Sequence, residues 1–260
     1  MLSGLSEILA LPELHLAGLL LVFVRVASAV ALMPGFGEQA IPSRVRLMTA
    51  MGFTLVVWPI VQPSLPTINP ELPTLVGLVI IEAGIGFLIG ISLRLMVMAI
   101  QFAGSVAAQS TAITQVAGVG VTPDPMPAIG NILMLAGLTL ALVTGLHIKA
   151  SLAIASTYTL FPLGTIPIAG DIAEWGIARV AHVFTFGFTL AAPFVIASFA
   201  YNLALGAINR AMPTLMVAFV GAPLITAGAL LILLLAAPTI LMVWNEQLDS
   251  VLANPMGLPE

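Results

Sequence analysis

Arg25 and Glu82 stand out because each sits in the middle of an otherwise uncharged, apolar stretch. A charge at the centre of a bilayer costs roughly 2.5–3.5 kcal/mol on insertion scales, so such side chains turn inward and find a partner. The two lie at similar depth in their stretches, which predicts a buried Arg25–Glu82 ion pair. Two roles fit it: a static clamp between helices, or one station of a proton relay or substrate sensor. Arg94 is a poor rival for Glu82, being ~18 Å away on the same helix at 1.5 Å per residue. If the pair is simple, exchanging its two charges should rescue the single mutants. Other reactive chemistry finds little support. His15, His147 and His182 are far apart, and no HExxH, GxSxG or GxxxxGK[ST] pattern occurs. The chain has no Cys, hence no thiolate nucleophile, disulfide or Cys-based metal site. A protein without catalytic residues, metal or cofactor is expected, with Arg179 and His182 snorkelling or pairing with Glu174.

The run from Gln101 to Thr122 is unlike its surroundings: Ala, Gly, Ser, Thr and Gln dominate, with no charge and no Leu. Helical spacing puts Gln101, Ser105 and Gln109 on one face, yet Ser110 and Thr114 on the other. Such a stretch is tolerable at membrane depth only against other protein or along a watery cavity. Two readings stand: the lining or plug of a passage, or a helix packed tightly through small residues. Under the first, Ser105, Gln109, Ser110, Thr111, Thr114, Gln115, Gly118 and Gly120 are the pore or plug residues, with Gly118 and Gly120 supplying backbone freedom. Gly86 and Gly90 have the small-xxx-small spacing that lets helix backbones approach closely. The close pairs Met48 and Met51, Met96 and Met98, and Met212 and Met216 read as core filling or as a deformable seal.

What must position these residues follows from composition. Of 260 residues 60% are hydrophobic and only 7% charged, against about 25% in a soluble domain. Mean hydropathy is +1.16. The chain is predicted to be an all-α integral membrane protein; the net charge of -4 offers no basic stripe for nucleic acid. No Lys or Arg precedes Arg25, so the first apolar stretch is expected to be retained rather than cleaved as a signal. Hydropathy places spans at Leu14 to Met33, Val45 to Val61, Leu72 to Leu93, Ala128 to Leu146, Ile177 to Ala200 and Leu215 to Val243. Two weaker candidates are the polar run and the short Ala150 to Leu163. If both cross, every basic joint (Arg44 with Arg46, Arg94, Lys149, Arg210) falls inside, and the acidic ones, including Asp249, fall outside. That predicts about eight helices in hairpins, both termini outside.

Several motifs, in order, resemble the FliR/SctT family of flagellar and type III secretion proteins. They are Arg25 to Pro34 followed by Ile41-Pro42-Ser43-Arg44-Val45-Arg46, then Glu82 to Gly90, Gln101 to Gln109, Asp124-Pro125, Gly145-Leu146-His147, and Asn209-Arg210 with Pro213, Phe219, Gly221 and Pro223. The Pro-rich joint Thr122 to Pro127 departs from the pattern. The resemblance implies a subunit of a helical hetero-oligomeric export gate in the bacterial inner membrane at the flagellar basal body. FliP-like and FliQ-like subunits would form with it the entry channel for unfolded substrates, and FlhB-like and FlhA-like proteins would contact it. It implies a FliP-like part over 1–176, a FliQ-like hairpin over 177–243 and a short polar tail over 244–260. The hairpin tip would carry partner contacts at Asn209, Arg210 and Pro213, and a closing plug would fall at about Ser105 to Thr122. It also implies that some helices lie above the bilayer. A secondary transporter with discontinuous helices is the alternative, but no convincing internal repeat is visible.

Overall fold

A lipid-facing backbone must satisfy its own polar groups, and long runs of Leu, Ile, Val and Ala do so as helices. The computed structural model describes residues 2–38, 40–66, 72–110, 128–212 and 217–257, with only the backbone described at 2–15 and 217–223. Among them are seven α-helices and no strand: α1 (Leu2–Leu32), α2 (Ser43–Val61), α3 (Leu72–Ser110), α4 (Ala128–Val143), α5 (Leu146–Leu160), α6 (Ala169–Ala211) and α7 (Val217–Ala253). Breaks fall where the chemistry requires them. The Pro42 carbonyl accepts the amides of Val45 and Arg46 as α2 begins, and a 3-10 turn carrying Pro63 ends it. Pro59 and Pro193 lie inside α2 and α6; each removes one backbone bond without ending its helix.

The described part of the polar run, Gln101 to Ser110, belongs to the helix that precedes it. Helix α3 continues for 39 residues through Arg94 to Ser110, because nothing between the expected spans breaks it and Leu, Met, Ala and Gln are good helix formers. At 1.5 Å per residue it is ~58 Å long, far more than the ~30 Å of a hydrocarbon core. The 43 residues of α6 and 37 of α7 likewise exceed one crossing. Among the described residues, four helices are long and apolar enough to cross a membrane, or five if α4 and α5, broken at Thr144–Gly145, count as one span. Seven α-helices lie among the described residues, in an all-α membrane protein as expected.

The chain divides into two compact units, each assembled from separate stretches. The first comprises Met1–Leu95, Thr144–Arg179 and Asp249–Glu260, the second Met96–Val143 and Val180–Leu248. In the first, Leu21, Val26 and Val30 of α1 and Ile85, Ile89 and Leu93 of α3 are buried. Close approach of these two helices runs through Gly86 and Gly90, where a Cβ would strike the carbonyls of Arg25 and Ala29. Helix α2 packs on α1 and α5 and buries Phe53, Val57 and Val61. In the second unit Met96, Ile100, Ile129, Leu133, Phe194 and Trp244 are buried, and the Trp244 indole N–H donates to the Met96 carbonyl at 2.7 Å. Gly104 lies against the backbone of Gly130, and Gly187 against that of Ala99.

Contacts inside the first unit overturn the expected alternation of eight crossings. Lys149 Nζ stands 2.7 Å from Asp249 Oδ1, although charge bias placed them on opposite sides. The Ser92 hydroxyl donates to the Pro255 carbonyl at 3.1 Å, which again joins two supposedly opposite ends. Parity counting assigns each apolar stretch one crossing, and that fails when helices outlast the bilayer and one candidate span is broken. The residues read as a polar tail also differ: 244–253 are the last turns of α7, and Trp244, Leu248, Val251 and Leu252 are buried. Of the methionine pairs, only Met96 among the described residues fills core. Met48, Met51, Met98 and Met212 face outward, and Met216 lies outside the described residues.

Candidate functional site

The first candidate site is the buried charge pair. Arg25 on α1 and Glu82 on α3 are both fully buried, with Nε donating to Oε2 at 2.6 Å and Nη2 to Oε1 at 3.1 Å. The glycine contact at Gly86 sits directly beside it, so backbone proximity delivers the two side chains to each other. The pair also reaches beyond the two helices. Arg25 Nη2 donates to the Phe161 carbonyl at 3.0 Å and Nη1 to the Thr157 hydroxyl at 3.3 Å. The Gly164 amide donates to Glu82 Oε1 at 3.0 Å, and the Tyr158 ring covers the guanidinium with its centroid 3.7 Å from Cζ. A cation over an aromatic face is attracted by the ring quadrupole. Gly164 has φ 80°, a left-handed conformation that L side chains avoid, so the turn presents its N–H to the carboxylate at little steric cost.

This constellation is suited to holding. A proton relay needs a chain of titratable groups, whereas the further contacts of this pair are the Thr157 hydroxyl, the ring face of Tyr158 and two backbone groups, with Tyr158 the one titratable side chain among them. Thr157 itself donates to the Ile154 carbonyl at 2.6 Å, which leaves its oxygen to accept from Arg25. The turn after α5 is thus bound by both members of the pair, the acid to an N–H and the base to a C=O. The sequence signalled the pair itself, through two charges in apolar stretches. It gave no signal for the backbone acceptor at Phe161, and only Pro162 with Gly164 marked a turn there.

The second candidate is the helical half of the polar run, in the second unit. Ser105 donates to the Phe102 carbonyl at 2.7 Å and Ser110 to that of Ala107 at 2.9 Å, so both hydroxyls bond back into their own helix. Ala103, Gly104, Ala107 and Ala108 are buried, and Gln109 is exposed. Gln101 Nε2 lies 2.6 Å from Met134 Sδ. At the end of α3 the Ser110 carbonyl accepts from the Ser198 hydroxyl, which in turn accepts from Asn202 at 3.3 Å. This half is packed through small residues. Thr111, Thr114, Gln115, Gly118 and Gly120 lie outside the described residues, as does Pro213. Asn209 and Arg210 are exposed on the last turn of α6.

The remaining charges are arranged differently from expectation. Arg94 pairs with Glu38 at 2.6 Å. Arg179 neither snorkels nor meets Glu174: it is buried and donates to backbone carbonyls near Gly257, while Glu174 is exposed. His182 Nε2 lies 3.2 Å from Gln247 Nε2, and its ring stacks on Phe186 at 5.7 Å. Among the described residues no group of three His, Asp or Glu is placed to hold a metal.

Comparison with known proteins bears on the whole chain. Residues 16–251 match the family described as bacterial export proteins, family 1. The chain is 36% identical to the flagellar biosynthetic protein FliR of Caulobacter vibrioides over 89% of its own length and 93% of that protein. It is 28% identical to FliR of Pectobacterium carotovorum over 84% of this chain and 83% of that one, and 26% identical to FliR of Escherichia coli K12 over 79% and 78%. Nearly the full length is matched, with the Arg25–Glu82 pair and the polar run both inside it, and the chain belongs to the FliR family of bacterial export proteins.

Proposed function

We propose that this protein is a subunit of the flagellar type III export gate in the bacterial inner membrane. There it forms, with FliP-like and FliQ-like subunits, the entry channel for unfolded substrates, and contacts FlhB-like and FlhA-like proteins. The observation that carries this reading is the family match along residues 16–251. The surface supports it. Met48, Leu55, Leu234 and Leu235 point outward, and only 11% of the apolar window of α7 is buried within the chain. Faces of this size need lipid or other subunits. On this reading residues 1–176 are FliP-like, and α6 with α7 supplies the FliQ-like hairpin, its tip near Asn209, Arg210 and Pro213 meeting a partner.

Within the gate the polar run has two parts. Ser105, Gln109 and Ser110 belong to the fixed wall, since α3 is packed to its end. The closing plug then falls on Thr111, Thr114, Gln115, Gly118 and Gly120, small or uncharged residues that neither trap cargo by charge nor bind it through a large apolar face. The protein's work is to hold and seal, with Arg25 and Glu82 as a static clamp. The test is a deletion of 111–120 in the assembled complex in membranes. Passage of a small solute should rise, and unchanged permeability would remove the gating role. Failure to co-purify with FliP-like and FliQ-like subunits would remove the assembly itself.

A further inference from the structure

We infer that Arg179 is a clamp that fixes the end of α7 within the first unit by gathering the carbonyls of the turn that follows that helix. The argument starts with the chain. Helix α7 ends at Ala253, and the buried backbone that follows must find donors for its own carbonyls. Here Pro255, which has no N–H, follows Asn254 directly and α7 cannot continue. The Asn254 amide closes the last turn on the Ser250 carbonyl, and the Gly257 amide returns to the Asn254 carbonyl at 3.2 Å. That tight turn brings the carbonyls of residues 254, 255 and 257 around one point. Arg179 Nη2 occupies it, at 3.2 Å from Asn254 O, 3.3 Å from Pro255 O and 2.8 Å from Gly257 O.

The side chain is 3% exposed, and no carboxylate contacts it among the described residues. Its counter-charge is therefore the carbonyl cup and the negative end of the α7 dipole, an arrangement in which a cation at a helix C-terminus is favourable. Nη2 carries two hydrogens for three acceptors, so at least one is shared, and Nε has no partner among the described residues. A buried guanidinium so committed cannot leave without stranding itself and the Gly257 carbonyl, while Asn254 O keeps the Gly257 amide and Pro255 O the Ser92 hydroxyl. Two further contacts converge on the same end of the chain. Ser92 of α3 donates to the second lone pair of Pro255 O, and Lys149 of α5 meets Asp249. Lys149 and Asp249 are each more than a third exposed, so that pair contributes little, and the buried arginine is the controlling contact. The last turn of α7 is thereby tied to α3, α5 and α6 in the first unit, whatever the plug does elsewhere.

The chain has no cysteine, so single thiols report cleanly. Val251→Cys, nearly isosteric at a site 2% exposed, reads the clamped end, and Val26→Cys reads the α1 core. In membranes carrying the complete complex, Arg179→Met should raise the labelling rate of the Val251→Cys thiol by a membrane-permeant maleimide at least about tenfold, because charged hydrogen bonds that resist local opening are gone. Arg179→Lys, which keeps a cation but not the planar fork, should give a smaller rise, and the Val26→Cys thiol should stay protected throughout. Two results would overturn the clamp. One is a protected Val251→Cys thiol in Arg179→Met; the other is equal exposure of both thiols in every variant, Arg179→Lys included, which marks general unfolding rather than release of one end.

Discussion

Removing the charge of Glu82 should be among the most damaging single changes in the chain, and its size follows from the contacts. Glu82→Gln leaves a fully buried guanidinium without its counter-charge, and breaking a buried pair from one side costs about 3–5 kcal/mol. Arg25→Met should cost a similar amount, since it strands the carboxylate and the Phe161 carbonyl. The double variant Arg25→Met with Glu82→Leu removes both charges together. Its residual damage is the Gly164 N–H and the Phe161 C=O left without partners, about 1–3 kcal/mol each. The double should thus fall short of the sum of the singles by about 4 kcal/mol, in the direction expected for residues in one network. An SDS titration of the detergent-solubilised complex, followed by loss of helical circular dichroism, measures all three. Strict additivity would refute the reasoning.

The exchange of charges, Arg25→Glu with Glu82→Arg, gives a sharper outcome. Pairing alone predicts rescue. The structure predicts none, because the backbone partners stay where they are: the Gly164 N–H would then face guanidinium donors and the Phe161 carbonyl a carboxylate. A swapped variant as stable as wild type would mean that the turn after α5 contributes nothing, and that the two hydrogen bonds to it are incidental.

Two further outcomes follow from packing. Gly86→Ala should cost about 1–3 kcal/mol in the same titration, since its Cβ would strike the Arg25 carbonyl, whereas Gly84→Ala, with nothing within 4 Å, should change stability by less than about 0.5 kcal/mol; equal effects would deny the close α1–α3 approach. Trp244→Phe keeps an aromatic ring but loses the indole bond to the Met96 carbonyl, which retains its helical partner, so a loss of about 0.5–1.5 kcal/mol is expected, and a neutral result would remove the indole bond from the list of what holds the second unit.

What could be read in the sequence and what could not divide along a physical line. Burying a charge is so costly that Arg25 and Glu82 announce themselves, and the small-residue spacing at Gly86 and Gly90 marks where two backbones meet beside them. The all-helical membrane class follows equally directly from composition. Backbone acceptors carry no such signature. Nothing in Phe161, Asn254 or Pro255 as residue types says that an arginine far away in sequence will seek their carbonyls, so the turn held by the ion pair and the cup around Arg179 emerge only in three dimensions. Helix length failed for a related reason: hydropathy counts apolar windows, while continuity depends on the absence of a breaker between them, and none separates Leu93 from Gln101. The pairing of Lys149 with Asp249 shows the consequence, since a charge rule built on single crossings has no means of bringing those two residues together. Depth in a bilayer is thus a poor coordinate for this chain. Its charged side chains are placed by the groups they must satisfy: Arg25 by a carboxylate and a carbonyl, Arg179 by three carbonyls, Lys149 by an aspartate.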